Sequence, residues 1–387
     1  MARTIRILGV GDPAVYAYTD EQLDILGTWR RHGGGEVLFD IVPWDRYLST
    51  LGAQWDAPEP AYDIIMLPGH LWLPEFASAG RLAPLTGHYS RLTGSDREDF
   101  KPFVRDELVW ADEVYLMPSF TDGHLVFFQS DAEGAREIDH SAAESAAPSL
   151  LTPSEMAELA RRNHGPNRYG IALKADPSEI LLDWLPYLWD EGGDLMDESG
   201  RPAFAGAAGI AALERYCSLR SVAPEQIDSY GNEEIAAALR GNKVAMATSW
   251  GGQAGFIYSS DGSGLSATTF DQPWNVVWSF GVLRQAPDTA AAFELLHYLS
   301  SPEVDRMVGR YAGSPVRSST YRRDATVPWY PAQEAMLDRC RRLQPHPEMN
   351  AVLGALTPEL AAAFAGTRTA EDSLARADEA AGKALET

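Results

Sequence analysis

The chain has 387 residues, more than one ordinary hydrophobic core accommodates, so two domains are expected. Hydrophobic residues make up 45% and charged residues 22%, the balance of a soluble globular protein. A formal net charge of −23 and a pI near 4.7 repel phosphate backbones and anionic lipid, which argues against nucleic acid or a membrane surface as partner.

Lysine is scarce (Lys101, Lys174, Lys243 and Lys383), and arginine supplies the positive charge. Cys217 and Cys340 are too few for a disulfide framework and too far apart in sequence for a metal motif, so both read as unpaired core thiols. No apolar run reaches membrane-spanning length. The opening MARTIRILGV runs straight into a strand, without the features of a secretory signal. That pattern fits a cytoplasmic protein, or an exported one whose signal has been removed.

In chain order, residues 4–10 form a β-rich run, 12–19 a loop with Tyr16 and Tyr18, and 20–32 a helix carrying Leu23, Leu26 and Trp29 on one face. Gly33-Gly34-Gly35 stops that helix. Residues 37–43 are the next strand, followed by Trp44 and Asp45. Residues 62–67 (YDIIML) form a buried strand ending at Pro68-Gly69, and a helix covers about 71–79. This order of elements predicts a parallel sheet with crossover helices.

The stretch 115–131, YLMPSFTDGHLVFFQSD, organises the rest. It begins as a strand at Val114–Leu116, breaks at Pro118, turns at Thr121-Asp122-Gly123 and resumes as an apolar strand over 125–128. A strand interrupted by Pro and Gly suits a chain passing between domains better than a sheet interior. Asp122, with Phe120 two residues before it, sits at that crossing. A carboxylate and an aromatic placed there suit a polyhydroxylated ligand.

Residues 131–150 are Ala/Ser/Glu-rich and read as a loop. Thr152-Pro153-Ser154-Glu155 is a capping box with proline at the first helical position, and Met156 and Leu159 give the helix its apolar stripe. A strand follows at 169–173 and a helix at 179–190, with Trp184 and Trp189. Another helix carries Ile210, Leu213, Tyr216 and Cys217, and a shorter one carries Ile235 and Leu239. The strand 243–247 leads to Trp250-Gly251-Gly252. Residues 253–272 read as a Gly/Ser-rich loop and 275–283 as a strand crossing back. Asp288 and Ser301-Pro302 start two helices, Gly313-Ser314-Pro315 breaks the chain again, and helices from Ala332 start at Thr357-Pro358 and Thr369.

Four stretches, in this order, resemble the extracellular solute-binding proteins of ABC importers, specifically the carbohydrate group that includes maltose- and trehalose-binding proteins. They are YDIIMLPGHLWLPEFASAGRLAPL (62–85), the stretch 115–131, LRGNKVAMATSW (239–250) and AAAFELLHYLSSPEVDRMVGRYAGSPVRSSTY (290–321). The resemblance implies a two-lobed periplasmic-binding-protein α/β fold, each lobe a β-sheet flanked by helices, with three interlobe crossings. The N-terminal lobe is expected to comprise 1–121 and 281–314, and the C-terminal lobe 122–280 and 315–387. It also implies a non-enzymatic monomer without cofactor or metal, which captures a mono- or oligosaccharide by hinge closure and delivers it to permease subunits. An extracellular location follows, with lipid anchoring in the precursor. Gly69 and His70 lie where some disaccharide binders place an acidic contact.

Sugars present hydroxyls at the rim and a face of C–H bonds, which carboxylates and indoles recognise respectively. Trp44, Trp72, Trp184, Trp189, Trp250, Trp274 and Trp278 are candidate platforms, with Trp250 and Trp278 favoured by their strand-end positions; each also suits a core. Trp29 and Trp110 read as packing. Asp122 is expected to contact ligand, though a turn-former before Gly123 is its bland alternative. The remaining candidates are Asp12, Tyr16, His70, Phe120, Glu179 and Arg317. Asp12 and His70 follow strands, Glu179 equally suits a helix dipole, and Arg317 equally suits a brace for the third crossing.

Residues 9–14 match G-x-G-x-x-A, the dinucleotide fingerprint. Pro13 removes a backbone donor, the helix is expected only from about Asp20, and no acidic residue ends the second strand, so the match reads as fortuitous. No G-x-S-x-G, H-E-x-x-H or P-loop occurs. The rival readings are a carbohydrate hydrolase or lyase, a binder of a polyamine, amino acid or metal chelate, and a sensor domain that docks to a receptor.

Overall fold

The structure, a computed structural model, describes residues 4–55, 57, 60–135, 149–258 and 264–385. Most of the loop expected at 131–150, and residues 259–263 of the Gly/Ser-rich loop, lie outside the described residues.

The chain forms two compact units, 1–122 with 276–327 (unit 1) and 123–275 with 328–387 (unit 2), so it passes between them three times. The passages fall after Asp122, Asn275 and Val327, against 121, 280 and 314 expected from the sequence. The stretch after Gly313 stays with unit 1 because the Val316 N–H donates to Asp305 Oδ1 (2.7 Å) and the Ser318 N–H to the Asp99 carbonyl (2.7 Å).

In unit 1, β1 (Ile5–Val10) pairs in parallel with β2 (Val37–Val42) and β3 (Ile64–Pro68). The ladder β2-β1-β3 is then extended by an antiparallel strand, β10 (Asn275–Val282), with Trp278 opposite Pro68. Every residue of β3 and β10 is buried, as expected of strands covered on both faces. The sheet is therefore mixed rather than purely parallel. A short hairpin, β4 (Val109–Trp110) and β5 (Glu113–Val114), turns at Ala111 and Asp112, both with positive φ, the geometry of a tight two-residue turn.

In unit 2, the second half of β6 (Leu116–Gln129) pairs antiparallel with β8 (Val244–Trp250) and β9 (Leu265–Thr268), and β7 (Tyr169–Ala172) lies parallel to β8. Helices Ile180–Asp190 and Ala207–Ser218 pack together, as do Met349–Phe364 and Ala370–Leu385. Gly170 of β7 is required by its neighbour: an added Cβ would stand 2.0 Å from the Ala160 carbonyl oxygen.

Five expectations about single elements are corrected. The loop at 12–19 is the helix Pro13–Thr19, capped by the Asp12 carboxylate accepting from the Ala14 N–H at 2.8 Å, with proline at its start. The second helix is correspondingly short, Ile25–Arg31. The turn at Thr121-Asp122-Gly123 does not form, since β6 runs unbroken for 14 buried residues. Gly123 serves close approach instead: a Cβ there would lie 2.6 Å from Asn275 Oδ1 and 2.7 Å from the Trp274 carbonyl oxygen. Part of the loop at 253–272 is ordered as the helix Ala254–Tyr258 and β9. Pro358 lies inside the helix Met349–Phe364 rather than starting one. The capping box at Thr152 forms as expected, opening the helix Pro153–Asn163.

Candidate functional site

In unit 1, β10 carries Trp278 into an aromatic group. Phe120 stacks on it (6.3 Å between centroids, 11° between planes), and Trp44, Trp72 and Tyr47 meet it edge-on at 5.9, 6.0 and 6.4 Å. Trp44 and Trp72 are parallel at 6.1 Å. Tyr47 fixes the floor: its hydroxyl donates to the Met66 carbonyl, and burial pushes the phenol far above its ordinary range. Offset and edge-on pairs of this kind add about 0.5–1.5 kcal/mol each beyond burial. Phe120 is fully buried and Trp278 keeps 8% of its surface, while Trp44 is half-buried at the start of the helix Trp44–Trp55.

The other unit 1 candidates divide by exposure. Tyr16 projects from its helix, 45% exposed. Asp12 is half-buried and holds the helix N-terminus. Asp122, the last residue of unit 1, is buried within β6, where the Thr121 N–H beside it donates to the Ser314 carbonyl at 3.1 Å. His70 is enclosed, its Nδ1 2.6 Å from Glu107 Oε1 and its N–H donating to Glu107 Oε2 at 2.9 Å. Arg317 is also enclosed. Its Nε donates to the Ser300 carbonyl at 2.8 Å, Nη1 lies 2.9 Å from Asp96 Oδ1 and 3.4 Å from Asp99 Oδ2, and the guanidinium covers Phe100 at 3.9 Å. These contacts brace the segment after Gly313.

Unit 2 brings Trp250, Glu179 and a residue that pattern reading passed over, Lys174. Trp250 ends β8. His124 of β6 meets it edge-on at 4.8 Å, and Trp274 does so at 5.4 Å. The Lys174 ammonium lies 5.0 Å from the Trp250 ring centroid and is paired with the Glu179 carboxylate and the Asn232 side-chain oxygen. Lys174 has no exposed side-chain surface and Glu179 has 17%. Burying a charge this deeply is tolerated only with such partners.

Beneath this group, Asp183 acts as a hub. It accepts from the Lys174 N–H at 3.0 Å and the Tyr216 hydroxyl at 2.8 Å, and its Oδ1 lies 3.1 Å from His124 Nε2. Both Asp183 and His124 are fully buried. One carboxylate thus fixes the backbone that carries Lys174 and the imidazole against Trp250. Burial and the Asp183 charge drive the Tyr216 phenol well above its ordinary range. Trp189 is 2% exposed and lies under the Arg341 guanidinium, which is held by Asp194 (2.8 Å).

Chemically, the Trp250 group offers an apolar plane flanked by an ammonium already compensated by a carboxylate. The scarcity of lysine is the signal that could have found Lys174, one of four in the chain and placed just after a strand. His124, Asp183 and Asn232 had no such signal, because their roles come from residues distant in sequence. Neither Cys217 nor Cys340 is in a disulfide among the described residues, both are half-buried, and burial pushes the Cys217 thiol up to about 12. Among the described residues no group of three or more His, Cys, Asp or Glu side chains is arranged to hold a metal ion, and no helix is long and apolar enough to cross a membrane.

The family model for the bacterial extracellular solute-binding protein matches residues 12–306. A curated relative from Sinorhizobium fredii, named "Probable amino-acid ABC transporter periplasmic-binding protein y4oP", is 23% identical over 228 residues, 57% of this chain and 52% of its own. The chain therefore spans about half the length of that relative. Maltose-bound MalE3 of T. maritima superposes with a TM-score of 0.81 at 19% identity, covering 99% of this chain and 100% of the other. A solute-binding protein of Agrobacterium radiobacter K84 in complex with ribitol gives 0.83 at 18% identity, covering 98% of each. Likeness at such identities establishes the shared fold.

Proposed function

We infer, from the premise that the chain belongs to the bacterial extracellular solute-binding protein family, that it captures a neutral sugar or sugar alcohol for an ABC importer. The carrying observation is the Trp250 group, an indole flanked by the compensated Lys174–Glu179 pair. An indole face covers sugar C–H bonds, and the flanking polar groups meet hydroxyls. The solved structures bound to maltose and to ribitol support a polyhydroxylated ligand. The curated relative's name points to an amino acid instead. An amino acid carboxylate calls for an uncompensated cation, whereas Glu179 already neutralises Lys174, which favours a neutral solute.

In this reading Trp250 and Trp278 are platforms and Asp122 and Glu179 accept hydroxyl hydrogen bonds, while Asp12, Tyr16, Trp44 and Phe120 contribute from unit 1. His70, Trp189 and Arg317 have internal partners and support the framework. Ligand binding shifts the population toward a closed arrangement of the two units, without a bond being made or broken. The closed form then docks, as a monomer, on the permease subunits outside the cell, held there by a lipid anchor on the precursor.

The test is a tryptophan-fluorescence and thermal-shift screen of the chain against sugars, sugar alcohols and amino acids. A sugar or sugar alcohol is expected to raise the melting temperature of the parent. Trp250→Ala is expected to abolish that response while leaving the unliganded transition cooperative. Stabilisation by an amino acid alone, or a Trp250→Ala variant that responds like the parent, overturns the reading. Product analysis after incubation with oligosaccharides excludes or reveals turnover.

A further inference from the structure

Unit 1 contains a cavity of about 430 Å³ that shares no residue with the Trp278 group. It lies among the short helices Thr86–Tyr89, Gly94–Glu98 and Pro102–Asp106 and the β4–β5 hairpin. Its volume is within the range of small-molecule sites. The positive-φ turn at Ala111 and Asp112 sets Val109 directly opposite Val114, and these two with Leu108 give the cavity an apolar wall.

The polar lining is unusual for this chain. Arg97 and Arg105 both line the cavity, and neither is within ion-pair distance of a carboxylate among the described residues. Acidic residues outnumber basic ones by 55 to 32, so two guanidiniums that form no ion pair run against the average environment. Two neighbouring acids are engaged elsewhere, Asp96 with Arg317 and His297 and Asp99 with Arg317 and Ser319, while Glu98 and Asp106 share the cavity lining without an ion pair to either guanidinium. Arg105 Nη1 donates to the carbonyls of Glu98 and Phe100, which orients its guanidinium without neutralising it. Arg97 Nε is buried and donates to no acceptor among the described residues. A buried donor left in that condition carries an unrepaid desolvation cost, which is recovered when an acceptor enters. Tyr89 lines the same space and feels both guanidiniums.

We propose that this cavity is a second binding site, for a small organic mono-carboxylate whose anionic end accepts from Arg97 and Arg105 and whose apolar body covers Leu108, Val109 and Val114. The charge is limited to one because Glu98 and Asp106 also line the cavity and repel polyanions. A guanidinium matches a carboxylate through paired N–H donors, which makes charge and planarity the recognised features.

Titration calorimetry of the full chain with benzoate tests the site, with benzyl alcohol, inorganic phosphate and citrate as comparison probes. Saturable binding of benzoate at one per chain is expected, with weaker or no binding of the uncharged and polyanionic probes. Arg97→Gln, which removes a group without an internal partner, is expected to weaken benzoate at least tenfold and leave any sugar response at Trp250 intact. Val109→Asp, at a 40% exposed position, is expected to abolish benzoate binding by adding a negative charge to the wall. Absence of saturable benzoate binding in the millimolar range, preference for citrate or benzyl alcohol, or unchanged affinity in both variants overturns the proposal.

Discussion

Single side chains account for much of the chemistry here, and Asp305 illustrates how burial sets it. Asp305 is fully buried and accepts from the Val316 N–H and the Thr320 hydroxyl. Burial pushes its carboxyl up from an ordinary 3.8 to about 6, against those hydrogen bonds and the Arg317 charge. The folded state therefore holds a proton that the unfolded chain releases at lower pH. The stability this contributes is fully present below about pH 4 and is lost as pH rises through about 6, a change of about 3 kcal/mol. Asn carries no charge at any pH, so the Asp305→Asn variant should match the parent most closely near pH 4 and gain on it toward pH 7.5. Urea melts of both proteins across that range check this; a pH-independent difference would refute it. Lys174 makes the complementary point. Its type and scarcity were visible in the chain, but its pairing with Glu179 under Trp250 depends on three segments meeting.

At the level of elements, local signals succeeded where they concern the chain's own backbone. The capping box Thr152–Glu155, the apolar runs of β3, β8 and β10, and the serine at Ser301 before proline all formed as read. The misreadings came where a residue has two physical uses. Gly123 suggested a turn but is there because Asn275 and the Trp274 backbone come too near for a Cβ. Gly123→Ala is accordingly expected to lower unfolding free energy by about 1–3 kcal/mol, the usual range for overpacking, as measured by chemical denaturation. Pro13 and Pro358 show the same ambiguity. The first opens a helix earlier than the apolar periodicity indicated, and the second lies inside one instead of starting it.

On the scale of the whole molecule, the proposed capture by closure predicts that a stabilising sugar reduces the radius of gyration in small-angle scattering, and that Trp250→Ala removes the reduction. An unchanged radius with saturating ligand would separate binding from closure and leave the closure mechanism unsupported. The amino-acid order alone was sufficient for the two-domain size, the alternation of strands and helices, and the four ordered stretches that carry the family likeness. Those features rest on periodicity, capping and short-range stereochemistry, which neighbouring residues determine. Only the tertiary structure decided that Trp278 stands among Phe120, Trp44 and Trp72, that Asp183 ties His124 to Lys174 beneath Trp250, and that Arg317 is spent on Asp96 and Asp99. Apart from Lys174 and Asp183, nine positions apart, such pairings join residues tens to hundreds of positions apart. Their energies depend on burial and distance, which no local pattern encodes.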